Sequence, residues 1–131
     1  MKSIFFLSLV GFLAISSVYG SAEDLVNSYE KAGAGPFSTA NGEAAWLQEN
    51  RPADGEKARA CTNCHGANLN LPGRHIKTGK AIEPMSLSVN PSRFTEPKKV
   101  EKWFRRNCRW TFGRECTSQE KGDFIQFIIS Q

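Results

Sequence analysis

The stretch Cys61-Thr62-Asn63-Cys64-His65 is the part of this 131-residue chain that indicates the fold most directly. On one turn of helix, the two sulfurs at positions i and i+3 and the imidazole at i+4 project from the same face. Haem c requires this arrangement, because the two thiols add across its vinyl groups while the adjacent histidine binds the iron as an axial ligand. The motif therefore predicts one covalently attached haem c, with Cys61 and Cys64 as thioethers and His65 as proximal ligand.

A redox-active pair and a zinc site are the two alternatives to haem attachment for these cysteines. A thioredoxin-like redox pair would follow a hydrophobic strand, whereas the residues before Cys61 are polar and helix-forming. A zinc site would have to combine Cys61 and Cys64 with Cys108 and Cys116, and the spacing of eight in the second pair is awkward for zinc. The sequence favours haem c over both.

The beginning of the chain has the pattern of a secretory signal peptide. Lys2 supplies a positive charge, residues 4–15 are apolar, and Gly20 offers a small residue for cleavage. We expect residues 1–20 to be the signal peptide and residues 21–131 to form the haem domain in the periplasm. The alternative is an uncleaved membrane anchor, for which the apolar stretch is shorter than the roughly 20 residues that span a bilayer.

Composition and periodicity predict one small all-α domain. The chain is 40% hydrophobic and 11% aromatic, with 17 basic and 13 acidic residues, which excludes a disordered tail. We expect four to five short helices and long loops. The helices are predicted from Ser21 to Gly33, over 42–49, from Asp54 to Cys64, from Glu96 onward, and from the Thr117 capping box to the C-terminus. No strand pair is expected.

A long aperiodic segment, residues 66–94, separates the predicted haem motif from the last two helices. Such a loop in a compact domain needs something to wrap around, and a haem would serve. The side chains expected to bury it are apolar: Trp46, Leu69, Leu71, Ile82, Met85, Leu87 and Val89. The protein without haem should therefore be poorly folded.

Cys108 and Cys116 remain once the haem has taken two of the four cysteines. In an oxidising compartment the expected state of the pair is a disulfide that acts as a structural staple. A redox-active or nitrosylated pair is the alternative. The staple would begin one residue after Asn107.

Two residues compete for the sixth position on the iron. Met85 would give a plain electron carrier, because its soft sulfur stays bound through the redox cycle. Asn107 shares a helical face with Val100, Trp103 and Phe104, where a buried amide would need a polar partner. Its hard oxygen suits ferric iron and binds ferrous iron weakly, so reduction would open the site to a diatomic molecule. From spacing alone, the C-cap interpretation is favoured for Asn107, whereas Met85 fits a core residue and a ligand equally well.

Several segments resemble the sphaeroides haem protein family of oxygen-binding monohaem cytochromes c. The most specific is residues 102–108, with Arg106, Asn107 and Cys108 in succession, followed by residues 113–117 and 119–123. Residues 79–80, 82–85 and 89–91 resemble the distal loop of the family. The resemblance covers most of residues 21–131.

This resemblance implies a class I cytochrome c fold with His65 as proximal ligand. It also implies that Asn107 is a distal ligand that leaves on reduction, that Cys108 and Cys116 form a disulfide, and that Met85 is a packing residue near the haem edge. Members of the family receive electrons from a dihaem cytochrome c and bind oxygen or nitric oxide transiently, so the protein is expected to be an electron-transfer and ligand-binding protein rather than an enzyme.

Basic residues are concentrated between positions 93 and 114, where eight cations face only two acids, Glu96 and Glu101. The cations of this basic patch are Arg93, Lys98, Lys99, Lys102, Arg105, Arg106, Arg109 and Arg114. They could steer docking to an acidic redox partner, or they could form a solvated helix face with one or two cations neutralising the haem propionates. We do not expect nucleic-acid binding, and His75 is expected to be a loop or propionate-side residue rather than a second ligand.

Overall fold

The structure, a computed structural model, describes residues 20–53 and 55–131. Five helices and two very short strands follow one another along the chain. They are α1 (Gly20–Lys31), α2 (Thr39–Leu47), α3 (Thr62–His65), β1 (Gly73–Arg74), β2 (Ala81–Ile82), α4 (Pro97–Phe112) and α5 (Ser118–Ile129). The predicted all-α class is confirmed. The predicted signal peptide lies outside the described residues except for Gly20, with which α1 begins.

Two details of the predicted secondary structure are wrong. The helix expected from Asp54 to Cys64 exists only as the single turn α3, and Asp54 itself lies outside the described residues. Gly55 has a φ of 78°, and the Arg59 backbone is extended and pairs with Asn50 through two N–H to O bonds of 2.8 Å. The chain that precedes the haem motif is therefore tied to the segment after α2 instead of being helical.

The second error concerns strands, since β1 and β2 pair antiparallel, with Gly73 opposite Ile82 and Arg74 opposite Ala81. Residues 73–82 thus form a hairpin, which we call the 73–82 hairpin. Two residues per strand are too few to produce a visible alternation of polar and apolar side chains, so the pattern gave no signal.

Local sequence chemistry sets the ends of the two long C-terminal helices. Pro97 opens α4, where the absent N–H costs nothing, and Gly113 closes it with a φ of 71° and an N–H donated to the Arg109 carbonyl. At the start of α5, Thr117 and Glu120 form the reciprocal capping box that the sequence predicts.

The core lies mainly between α2 and α5, with α1 against α5 and α4. The α2–α5 crossing is close: a Cβ on Gly42 would lie 2.1 Å from the Asp123 carbonyl oxygen, so only glycine fits there. On the α5 side, Gly122 lies against the Phe37 ring. The fully buried apolar side chains around this crossing include Leu25, Trp46, Leu69, Phe124, Ile125, Phe127 and Ile128.

A polar cluster joins α1, α4 and α5 at one edge of the core. The Tyr29 hydroxyl of α1 donates to Glu101 of α4, and Lys121 Nζ of α5 donates to the other oxygen of that carboxylate at 2.6 Å. Burial alone would raise the pKa of Glu101, but the hydrogen bonds from Lys121 and Tyr29 outweigh it and hold this pKa below 4.5.

Because the folded-state pKa of Glu101 is depressed, its contribution to stability is present above the unfolded-state pKa and is lost as the pH falls through the folded-state value. We expect Glu101→Gln to lower stability at pH 7 and to flatten the decline in stability below about pH 4.5. Denaturant unfolding of the haem-loaded protein from pH 7 to pH 3 measures both effects. Glu115→Gln removes a carboxylate from an exposed pair with Arg109 and serves as the control. Parallel pH curves for the wild type and Glu101→Gln would contradict this account.

Candidate functional site

The single turn α3 brings the three predicted haem-binding side chains together. Cys61, at its start, already has helical angles (φ −59°, ψ −34°), and its carbonyl accepts hydrogen bonds from the N–H groups of Cys64 and His65 at 3.3 and 3.1 Å. Gly66 ends the turn with a φ of 72° and donates its N–H to the Thr62 carbonyl. Cys61, Cys64 and His65 therefore lie at positions i, i+3 and i+4 of one helical turn, as the sequence predicts.

Trp46 connects this turn to the core. Its ring lies 5.3 Å from the His65 ring, centroid to centroid, and its Nε1 donates to the Gly66 carbonyl at 3.0 Å. On its other sides, the indole packs against Phe124 and Phe127 of α5, with centroids 6.3 and 6.0 Å away. The orientation of the turn is thus fixed by a buried aromatic residue rather than by the turn itself.

The surroundings of the motif set its protonation states. Burial lowers the pKa of His65 to about 4, and the positive charge of Arg93 lowers it in the same direction. Burial likewise raises the pKa of the Cys61 thiol to about 11, although a hydrogen bond with Thr111 acts against it. At neutral pH the imidazole is therefore uncharged, which is the form that binds metals.

The C-terminal half of α4 holds the segment that leads into the motif. Thr111 hydrogen-bonds with the Cys61 thiol, and Arg59 donates to the Trp110 carbonyl at 3.1 Å with its guanidinium 5.4 Å from the centre of the Trp110 ring. Neither contact could be predicted from the sequence. Thr111 lies some 50 positions from Cys61, as Trp110 does from Arg59, and nothing in the local pattern relates the partners.

The 73–82 hairpin packs against the opposite side of the motif. A Cβ on Gly73 would lie 2.3 Å from the Cys64 carbonyl oxygen and 3.0 Å from the His65 Cα, so the hairpin can approach this closely only with glycine at position 73. Gly73 could not be predicted from the sequence, because one glycine among several in a long loop does not reveal which backbone it touches.

The residues of the motif fit a covalent haem. Cys61 and Cys64 are free thiols and are not joined to each other. The His65 Nδ1 atom is buried and has no hydrogen-bond partner, which leaves this imidazole incompletely satisfied by the protein. A zinc site built from all four cysteines is excluded because Cys108 and Cys116 are bonded to each other, and no other cluster of three metal-binding side chains occurs in residues 20–53 and 55–131.

The apolar side chains predicted to surround the haem differ in how far the protein itself buries them. Trp46, Leu69 and Leu87 are buried, and Ile82 and Met85 are half-buried. Leu71 and Val89, in contrast, are 58% and 51% exposed. Both belong to a segment whose backbone turns every few residues, so the apolar character of a side chain there does not determine which way it faces.

Asn107 lies well inside α4, five residues before its last residue. The C-cap role considered for it is wrong, because α4 continues to Phe112 and Gly113 is the cap. On the same helix face, Val100 and Phe104 pack against the core. The role of Asn107 as a distal ligand stays a prediction.

Met85 is half-buried and packs against the core cluster. Its N–H and that of Ser86 both donate to the Leu69 carbonyl at 3.0 Å, which fixes the backbone of the predicted distal loop. The core-residue interpretation of Met85 agrees with this position.

The predicted disulfide is confirmed. Cys108 and Cys116 are bonded, with their Cα atoms 5.6 Å apart, and both side chains are buried. The bond joins the last third of α4 to the loop before α5. The α4 backbone is thereby anchored at the residue next to Asn107.

The eight cations of the basic patch do not form one continuous positive surface. Three of them are paired with acids: Lys99 with Glu96, Arg109 with Glu115 and Arg114 with Glu120. Arg93 is half-buried and donates to the carbonyl oxygens of Pro84 and Glu83, and Arg106 stacks on Trp103. Lys98, Lys102 and Arg105 remain together, beside Glu101, in a groove between α1 and α4.

His75 lies in the 73–82 hairpin, where it is exposed, as the sequence analysis expects of a loop residue. Its Nδ1 accepts a hydrogen bond from the Thr78 N–H at 3.2 Å.

Within the described residues, no helix has the length and apolar character needed to cross a membrane.

Comparison with known proteins identifies the class to which this fold belongs. The cytochrome c-type protein SHP of Cereibacter sphaeroides is 37% identical over 128 residues, which is 96% of this chain and 98% of the relative. A solved structure of oxidized SHP, described as an oxygen-binding cytochrome c, superposes with a TM-score of 0.75 at 36% identity and covers 84% of this chain and 96% of its own. Oxidized cytochrome c'' from Methylophilus methylotrophus superposes with a TM-score of 0.74 at 31% identity, covering 85% of this chain and 94% of its own.

The fold and the single Cys-x-x-Cys-His turn define a c-type cytochrome that carries one haem c. Residues 32–128 match the model of a domain family of unknown function, DUF1924. The chain belongs to this family and, with the sequence and structural likeness to SHP, to the sphaeroides haem protein group of cytochromes that the sequence motifs indicate.

Proposed function

We propose that this cytochrome is exported by residues 1–20, and that residues 21–131 work in the periplasm as a redox-opened haem protein. Cys61 and Cys64 hold the haem as thioethers, and His65 is its proximal ligand. The haem supplies an iron that changes between ferric and ferrous states and accepts diatomic molecules when a coordination position is free. The protein controls when that position is free.

Asn107 is the residue that performs this control in our proposal. Its amide oxygen is a hard donor, which favours ferric over ferrous iron, so the side chain is held in the oxidised protein and released in the reduced one. The observation that carries the proposal is its placement. Asn107 lies inside α4 and directly precedes Cys108, so the helix and the disulfide fix the backbone from which its side chain engages or withdraws.

The published descriptions of two relatives support this proposal. SHP is described as an oxygen-binding cytochrome c, and a solution structure of cytochrome c'' is described in terms of haem-ligand detachment. The latter superposes on this chain with a TM-score of 0.74 at 32% identity. We infer by likeness that the ligand bound after reduction is oxygen or nitric oxide, and that the electron comes from a dihaem cytochrome c attracted to the positive surface of the protein.

A plain electron carrier with Met85 as sixth ligand is the alternative function. It is favoured by the fixed backbone of the distal loop, which positions Met85 through the Leu69 carbonyl. It is opposed by the contact of the Met85 side chain with the core cluster, where a thioether already has packing partners.

Substituting each candidate ligand in turn distinguishes the two functions. We expect Asn107→Ala to keep the haem attached but to convert the ferric protein from low spin to high spin, because a water or an open position replaces a protein ligand. Met85→Ala is the matched variant and should leave the ferric spectrum low spin. Optical and electron paramagnetic resonance spectra of the ferric proteins provide the measurement. An unchanged spectrum for Asn107→Ala, or high spin for Met85→Ala alone, would contradict the proposal.

A further inference from the structure

The 73–82 hairpin carries an unusual concentration of positive charge. Arg74, Lys77 and Lys80 are all exposed, and no acidic residue occurs between positions 73 and 82. Ile76, near the tip, is 56% exposed. One exposed apolar side chain is common at a protein surface, but an apolar patch with a charged rim indicates a site that another molecule covers.

This hairpin adjoins the haem motif. At its base, Gly73 contacts Cys64 and His65, as described above. Toward its tip, Ile76 and Lys77 form one wall of a groove of about 460 Å³. The groove also includes Asn63, the residue directly before Cys64, together with Trp110 of α4 and Lys57. The acid that lines it, Glu56, is paired with Arg59, which lines it too. A molecule seated in this groove therefore reaches the segment between the two cysteines predicted to carry the haem.

The groove has the anatomy of a protein-binding surface. Ile76 and Trp110 supply an apolar centre, and the exposed Lys57 and Lys77 lie at its rim. Within residues 20–53 and 55–131, neither lysine forms a salt bridge. Arg59, in contrast, is already paired with Glu56 and stacked on Trp110. The chemistry fits a partner with carboxylates around an apolar patch. A small anion would pair with the lysines but would leave the apolar centre uncovered.

The basic residues of α4 are less well placed for such a partner. Three of them are already paired with acids, and Lys98, Lys102 and Arg105 line a groove whose one acid, Glu101, is itself paired with Lys121. That groove lies between α1 and α4 and is lined by no residue of the Cys-x-x-Cys-His turn. Electron transfer weakens steeply with distance, so a donor gains from docking beside the motif.

We propose that the 73–82 hairpin, with Lys57 and Trp110, is the docking site for an acidic one-electron donor protein. The inference rests on the proposed function and specifies where its electron enters. In the step itself, the donor is oxidised by one electron and ferric iron is reduced to ferrous, with no bond made or broken between the proteins. The positive rim attracts the donor, and Ile76 and Trp110 hold it in contact.

The test uses reduced flavodoxin, an acidic one-electron donor, as the probe. Binding to the ferric, haem-loaded protein is followed first with oxidised flavodoxin, through backbone amide chemical shifts at low ionic strength. Two variants with equal charge change are compared: Lys57→Glu with Lys77→Glu at the hairpin, and Lys98→Glu with Lys102→Glu on α4. We expect the first to weaken binding about 10-fold or more and the second by no more than about 2-fold, with wild-type shifts centred on residues 57–63 and 74–80.

The rate of haem reduction by reduced flavodoxin is the second readout. We expect it to fall in the same order and to decrease with added salt, and we expect Ile76→Ser to slow it without altering its salt dependence. Larger losses in the α4 variant, shifts centred on α4, equal losses in both variants, or no saturable binding would each overturn the inference. The ferric spectra of all variants report separately on the sixth ligand, so a failure of the proposed function is distinguishable from a failure of the docking site.

Discussion

Replacing both Cys61 and Cys64 with alanine is expected to remove the covalent haem completely. They are the two free thiols in the described part of the chain, and each thioether needs one. The protein should then lose its pigment on acid–organic extraction. It should also lose much of its helical circular dichroism, because a haem buried among apolar side chains adds to the core that holds the helices together.

The remaining two cysteines provide a matched control for this experiment. Cys108→Ala with Cys116→Ala also removes two sulfurs, but from the disulfide at the end of α4. That variant should retain the haem through extraction. It should unfold at lower denaturant concentration, because its unfolding free energy falls by about 2–4 kcal/mol. Pigment that survives extraction in the Cys61, Cys64 variant would contradict the assignment of the attachment site.

Replacing Trp46 with alanine is expected to be the most destabilising single substitution. The side chain is 4% exposed and contacts the His65, Phe124 and Phe127 rings, so its removal leaves a cavity between the core and the haem motif. The expected cost is about 3–5 kcal/mol of unfolding free energy. Denaturant unfolding of the haem-loaded protein, followed by circular dichroism, measures it.

Trp46→Phe separates the two roles of this residue. It keeps an aromatic ring in the core but removes the Nε1 hydrogen bond to the Gly66 carbonyl. We expect a smaller loss, of about 1–2 kcal/mol, from the hydrogen bond and the reduced volume together. If Trp46→Ala and Trp46→Phe lower the unfolding free energy equally, the packing of the indole does not account for the effect. The hydrogen bond to the Gly66 carbonyl would then account for it.

Much of this fold could be predicted because short-range chemistry determines it. The Thr117 and Glu120 capping box, the Gly113 stop and the spacing of Cys61, Cys64 and His65 each depend on residues within one helical turn. Such interactions are visible in the sequence without knowledge of the tertiary structure.

The features that escaped prediction depend on contacts between distant segments. The pairing of Asn50 with Arg59, the Gly73 approach to Cys64, and the hydrogen bond between Thr111 and Cys61 all join separate parts of the chain.

The most direct test of a redox-opened site is to record spectra of the wild-type protein in both oxidation states and then add carbon monoxide. We predict a low-spin ferric form without the near-infrared sulfur-to-iron band, and a ferrous form that becomes high spin and binds the gas. This outcome would show that a non-methionine ligand leaves on reduction, as proposed for Asn107. A ferric sulfur band together with a ferrous form inert to carbon monoxide would contradict the account and make Met85 the permanent sixth ligand.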